Sequence, residues 1–384
     1  MLYLEEITPA IGQKGIQCGN VFVPYEQTLS AGTKGLVVSE SKDVFDVIQE
    51  VCAENASKTI TRAVSLLSFT TSGGGTYKWA GGVLARNGKI YCIPYQSSKI
   101  LVIDPETDTI SEFGNFTDDR KFKGAVLAPN GKIYCIPFNA SYILVIDPET
   151  NTTSTINVAS GSNKWCGGVL APNGKIYCIP CGSSSILVID PETDTTTTFG
   201  NFSGSEKWSG GVLAPNGKIF CIPSTGSSVL VIDPETNTTT TFGNFSGTLK
   251  WCGGVLAPNG KIYCIPYKTN RTMEIDPDTN SYKFIGNSSS ISDKWAGGVL
   301  APNGKIYCIV SNTDYILEIN PETEVETQLP TSSQSYLCLG AVLAQNGNIY
   351  CIPHTSASVL KITFSGDMTP FPLDVCLSPY LNKY

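Results

Sequence analysis

Six lysine–aromatic pairs recur along this chain of 384 residues: Lys78-Trp79, Lys121-Phe122, Lys164-Trp165, Lys207-Trp208, Lys250-Trp251 and Lys294-Trp295. An ammonium group is attracted to the face of an aromatic ring, and the two side by side suit an anion or an acidic sugar. If the pairs gather at one mouth of a channel, Lys78, Trp79, Lys164, Trp165, Lys207, Trp208, Lys250, Trp251, Lys294 and Trp295 are the candidate ligand-binding residues. The same pattern also suits packing alone. Each tryptophan then wedges between repeats, and each lysine covers a sheet edge with its charge in water. A seventh copy replaces the pair with Leu337-Cys338.

Other reactive residue types are sparse or repeated. His354 is the single histidine, and its counterparts in the other copies are Tyr95, Phe138, Cys181, Ser224, Tyr267 and Ser311. A position that varies from aromatic to small reads as a loop, with the imidazole in solvent. One histidine makes a poor start for a histidine-based nucleophile triad, so no catalytic residue is assigned. Cys178 and Cys181 form an isolated C-x-x-C. A tetrahedral zinc site needs four ligands, so these read as two small buried or partly buried cysteines and no metal is expected. Carboxylates recur in pairs, as Asp104/Glu106, Asp147/Glu149, Asp190/Glu192 and Asp233/Glu235, with Asp276, Asn320 and Glu322 in later copies. An aspartate opening a turn accepts a backbone N–H, so these are turn-formers and not calcium ligands. No cofactor is expected.

The elements that position these residues follow from a repeat. The Asn-Gly pair begins at Asn87, Asn130, Asn173, Asn216, Asn259, Asn303 and Asn346, a period of 43 residues with a single 44. Seven copies of that length predict a β-propeller with one four-stranded sheet per repeat. In the copy Lys164–Gly200, "WCGGVLA" is the inner strand and "PNG" a tight hairpin turn. "KIYCIP" alternates faces, "SILVID" is an apolar run packed on both sides, and "DPETD" is the next turn. "TTTTFG" is the solvent-facing outer strand. Gly167 and Gly168 suit an axis where backbones converge. The ring can close through "KTITRAVSLLSF" (Lys58–Phe69) or through the tail "VLKITFSGDMTPFPL" (Val359–Leu373), and the sequence leaves the pairing open.

The stretches "APNGKIYCIP" and "ILVIDPETDTTTTF", present in full or in part in all seven copies over roughly residues 76–373, resemble propellers of the streptogramin B lyase type. More loosely they are similar to the NHL and SMP-30-like propellers. The resemblance implies an all-β, seven-bladed fold. It also implies a lyase that works with histidines, a glutamate and bound Mg²⁺, and one histidine cannot carry that mechanism over.

Residues 1–57 lie outside the repeat and 58–384 form the predicted ring. "GNVFVPYE" (Gly19–Glu26) and "KGLVVSE" (Lys34–Glu40) read as strands, and Ser41–Ala56 as an amphipathic helix with Ser41 as its N-cap. So small an α/β unit cannot bury a core alone, and it is expected to dock on the ring or on other chains of a larger assembly. A net charge of −7 argues against a general nucleic-acid binder. No signal peptide or membrane span is read, and Cys92, Cys135, Cys178, Cys221, Cys264, Cys308 and Cys351 recur as small buried residues in strands of a protein kept reduced in the cytoplasm. The functional expectation is a non-enzymatic interaction or structural propeller, including a component of a virus or bacteriophage particle, with an anionic glycan as candidate ligand. The alternatives are a metal-dependent lyase or hydrolase on the same ring and an intracellular protein-interaction hub.

Overall fold

In the computed structural model, residues 15–18, 21–24, 44–286, 294–331 and 337–381 are described. Among them, seven four-stranded antiparallel sheets form the blades of a propeller, and a two-stranded hairpin pairs Gly15–Cys18 with Val21–Pro24. Blade 3 shows the pattern, with strands Trp165–Leu170, Ile176–Pro180, Ile186–Asp190 and Thr195–Phe199 from axis to rim. Both candidate closures are used together in blade 7. Ser358–Ser365 is its third strand, and Thr61–Ser68 pairs along it as the outer strand, so the two chain ends lock the ring. The strand Gly15–Cys18 was not anticipated, and the predicted strand Lys34–Glu40 and the Ser41 cap lie outside the described residues.

The residues that recur most faithfully clasp one blade to the next. Asn173 of the Asn-Gly turn donates to the Pro234 carbonyl of the following blade at 3.0 Å, and the Tyr177 hydroxyl donates to the same oxygen at 3.0 Å. The contact closes the circle, since Asn346 of blade 7 donates to Pro105 of blade 1 at 2.8 Å. The aspartates behave as turn-formers: Asp190 Oδ1 accepts from the Glu192 N–H at 3.1 Å. A β-bulge sits at the start of each inner strand. In blade 3 the register passes from Trp165↔Pro180 to Gly168↔Cys178, which leaves one extra residue on the inner strand and puts Gly167 at φ 80. Gly168 is required by the neighbouring blade, because an added Cβ would lie 2.7 Å from Ile136 Cδ1.

Helix α1 (Val44–Ala56) lays its apolar stripe on the face of the ring that carries the Asn-Gly turns. There Asn55 donates to Pro302 O at 2.9 Å and to Thr369 O at 2.7 Å, while Gln49 donates to Pro258 O at 2.6 Å. The C-terminal segment crosses the same face. Its short helix α2 (Leu373–Cys376) leads into Leu377 and Pro379, which rest against Val126, Gly168 and Leu170 of the inner strands. Phe45 and Tyr380 pack together with ring centroids 5.8 Å apart. The chain therefore stops one end of its own axial channel. No helix among the described residues is long and apolar enough to cross a membrane.

Candidate functional site

The other end of the channel is built from the starts of the inner strands and the ends of the second strands. The lysine–tryptophan pairs stand there, and their polar atoms are engaged. Each indole N–H donates to a carbonyl at the head of its own blade's third strand, as Trp165 to Ser185 O and Trp208 to Ser228 O, both at 2.8 Å. Trp79, Trp251 and Trp295 do the same toward Lys99, Arg271 and Tyr315. Each lysine reaches backward across the blade boundary. Lys207 Nζ donates to Cys181 O and Ser183 O of blade 3 and to Gly204 O, all at 2.9 Å. Lys164 donates to Ala140 O, Lys250 to Gly226 O and Lys294 to Thr269 O. Lys78 reaches Thr355 O and Ser356 O, which joins blade 1 to blade 7.

These ammonium groups are not in water, as simple edge-covering would have them. Lys164, Lys207, Lys250 and Lys294 are buried, and burial holds their pKa values below the ordinary lysine range. Lys121 is pushed down to about 8 for the same reason. Main-chain hydrogen bonds explain the constancy of the position, because Lys207 donates its N–H to Cys181 O and accepts at its own carbonyl from Ser224 N. A bent backbone crossing two blades leaves its side chain over a row of carbonyls, and lysine satisfies three of them at once.

Inside this uniform ring lies one that is not uniform. The bulge turns the second residue of each inner strand toward the axis. Around the circle these residues are Ala80, Lys123, Cys166, Ser209, Cys252, Ala296 and Leu339. The residues after the second strands, Tyr95, Phe138, Cys181, Ser224, Tyr267, Ser311 and His354, stand beside them. Cys166 Sγ and Ser209 Oγ are 3.6 Å apart, and Ser209 Oγ and Cys252 Sγ are 3.6 Å apart. The Lys123 ammonium lies 5.5 Å from the centre of the Phe138 ring.

One sequence expectation is corrected by this ring. His354 is not a solvated loop residue. Its Nδ1 donates to Trp79 O at 2.7 Å, its ring lies 5.1 Å from Tyr77 and 5.6 Å from Tyr95, and burial lowers its pKa to about 4. The two cysteines of the C-x-x-C are buried, as the sequence reading has them, but in different surroundings. Cys178 points into the blade, whereas Cys181 points to the axis and is within hydrogen-bonding reach of Cys166 on the adjacent strand. Lys123 was missed altogether, although the sequence marks it: blade 2 reads Phe122-Lys123-Gly124 where blade 3 reads Trp165-Cys166-Gly167.

A second departure from the repeat lies at the rim. The outer strand of blade 5 is Ser281–Ile285, and it carries Tyr282 and Phe284 where blade 4 has Thr239 and Thr241. Both rings are exposed, at 39% and 41%. Phe284 stacks on Trp251 at 6.0 Å with an interplanar angle of 6°, and Tyr282 meets Phe245 edge-on at 4.9 Å. They line a groove of about 410 Å³ together with Lys268 and Arg271. Of the lysine–tryptophan pairs, Lys250-Trp251 borders this groove.

No family model matches the chain, and no curated protein matches it in sequence. Solved structures do match. A streptogramin B lyase is 13% identical with a TM-score of 0.68, covering 79% of this chain and 98% of its own. A catalytically inactive variant of virginiamycin B lyase from Staphylococcus aureus with quinupristin is 12% identical, again with a TM-score of 0.68, over 79% of this chain and 99% of its own. Hydrazine synthase from Kuenenia stuttgartiensis is 14% identical with a TM-score of 0.62, over 78% and 99%. At such identities the likeness speaks for the fold, a seven-bladed propeller of the streptogramin B lyase kind.

Proposed function

We propose that the chain is a non-enzymatic binding platform whose blade 5 groove takes an anionic sugar. The observation that carries this reading is the replacement of the outer-strand threonines by Tyr282 and Phe284 in a groove that the cations Lys268 and Arg271 also line. A sugar ring stacks its C–H face on an aromatic plane, and a carboxylate or sulfate seeks a guanidinium or ammonium. Uniform blades around this groove serve as a rigid frame. His354, the residue best suited to acid–base work, spends its Nδ1 on a backbone carbonyl and is held neutral by burial, which supports binding over catalysis.

Calorimetric titration with sulfated and uronic-acid oligosaccharides tests the assignment. The wild type should bind and weaken as salt rises, and a Tyr282→Thr, Phe284→Thr double variant should lose at least tenfold in affinity. Absence of binding by the wild type, or equal binding by the variant, sinks it. The platform reading extends to a part in a larger assembly joined through residues 1–57, including a virus or bacteriophage particle. The apolar stripe of α1 is already spent on the ring, so attachment falls to the residues before it. Native mass measurement giving only a free monomer beside its genomic neighbours' products counts against that extension.

A further inference from the structure

We propose that Cys166 and Cys181 form a peroxide-oxidisable dithiol at the unstopped mouth of the channel, with Lys123 as its positioning cation. Cys166 stands at the bulge of the inner strand of blade 3, and Cys181 ends the second strand of the same blade. The strand pairing at Trp165↔Pro180 holds both backbones, and the two sulfurs are already within hydrogen-bonding reach. Cys166 and Cys181 lie one position to either side of that pair, as diagonal neighbours on one face, within reach of each other's side chains. Cys166 has a further partner in Ser209, which leads on to Cys252.

The contrast with the repeated cysteines sets the pair apart. Cys92, Cys135, Cys178 and Cys221 are as fully buried as Cys166 but only among apolar side chains, and burial alone pushes their thiols far up. Burial pushes Cys166 the same way, but hydrogen bonds from Cys181 and Ser209 and the Lys123 charge outweigh it, so the group sits well below its ordinary value. Cys181 moves up, because its hydrogen serves the neighbouring thiolate. Glu206 adds to that rise, and Lys123 also acts on Tyr95, Cys252 and His354. A thiolate beside a protonated second thiol and a fixed cation is the arrangement of an attacking and a resolving cysteine.

The chemistry balances with hydrogen peroxide as the oxidant. The Cys166 thiolate attacks one peroxide oxygen, an S–O bond forms, the O–O bond breaks and hydroxide leaves. Cys166 is thereby oxidised by two electrons to a sulfenic acid. The departing hydroxide takes the Cys181 proton and becomes water. The Cys181 thiolate then attacks the Cys166 sulfur, the S–S bond forms and the S–O bond breaks. The second hydroxide leaves and is protonated by solvent, so one peroxide yields one disulfide and two waters. Cys166 and Cys181 are buried behind Lys123, Tyr95 and Tyr267, which are partly exposed, so the oxidant must be as small as peroxide, about the size of water, to reach them.

The test treats the reduced full chain with hydrogen peroxide and maps its cysteines by mass after alkylation. A Cys166–Cys181 cross-link should form before any other cysteine reacts. In Cys181→Ser, dimedone should label Cys166 and no cross-link should appear, whereas Cys166→Ser should give neither product. Serine fills both equivalent positions in blade 4, as Ser209 and Ser224, so the fold should accept these changes. Lys123→Met should slow cross-linking about tenfold at neutral pH and move the midpoint of its pH–rate profile upward, and Lys123→Arg should restore both. The assignment is overturned if another cysteine reacts first, if the pair reacts only in denaturant, or if Lys123→Met leaves the profile in place.

Discussion

Lys207 stands just before the inner strand of its blade and Lys123 just inside that of another, yet they have opposite roles. Lys207 belongs to the outer ring, repeated in almost every blade, and its ammonium lies among three carbonyls. Lys123 belongs to the inner ring, has no lysine counterpart in any other blade, and faces thiols and aromatic rings. The difference teaches how to read a symmetric protein. What symmetry repeats is what every blade boundary needs, and what symmetry breaks is free to be specific.

The sharpest way to break this comparison is to delete both charges. Lys207→Met leaves buried carbonyls of blade 3 without a donor, and unfolding in urea should show a loss of about 3–4 kcal/mol. Lys123 is partly exposed, and Lys123→Met should change stability by less than about 1 kcal/mol. Equal losses would show that the inner ring is as structural as the outer one.

Next in size is an effect of pH. The unfolded chain protonates His354 near 6.5, while the folded ring resists protonation until about 4. Between those values the unfolded state binds more protons, so stability falls as pH falls through that window, by about 3 kcal/mol at its lower end. His354→Asn can keep the donor to Trp79 O and carries no titrating group. Its stability between pH 6.5 and 4 should therefore decline less steeply than that of the wild type. Parallel curves would place the imidazole in water after all.

The closure of the ring gives a smaller effect. Glu318 of blade 6 is buried and pairs with Lys305 at 2.8 Å and with Arg62 of the closing strand. Arg62→Met leaves Glu318 one cation, so the cost should be about 2 kcal/mol in thermal unfolding. A matching change at Lys175, whose pair with Asp190 is more exposed, should cost less than about 1 kcal/mol.

Much of the architecture was legible because the repeat writes it plainly. The Asn-Gly and Asp-Pro turns, the apolar third strands and the bulge glycines each have a local physical reason, and local reasons survive folding. The site was less legible for the opposite cause. Cys166 and Cys181 are 15 positions apart, and only strand pairing places them side by side. Lysine beside tryptophan looks like a receptor until the carbonyls that hold it are known, and those belong to another blade. His354 sits at a variable position, which resembles a loop in a list of letters and is an axial ring in space. The C-terminal stopper left no sequence signal, since Leu377 and Pro379 carry no pattern of their own.

The smallest expected effect tests the rim of blade 5 against its neighbours. Tyr282→Thr with Phe284→Thr rewrites its outer strand in the manner of blade 4, where Thr239 and Thr241 hold those places. More than a third of each aromatic ring is exposed, so little apolar area returns to water. The loss of the Phe284–Trp251 stack is set against the better strand propensity of threonine on an open edge. Stability should change by no more than about 1 kcal/mol, while the groove loses its aromatic wall. A cost of 3 kcal/mol or more would mean that the rings are packing and that blade 5 departs from the repeat for the sake of its own fold. A near-neutral change would leave recognition as the reason that blade 5 keeps two large aromatic side chains in solvent.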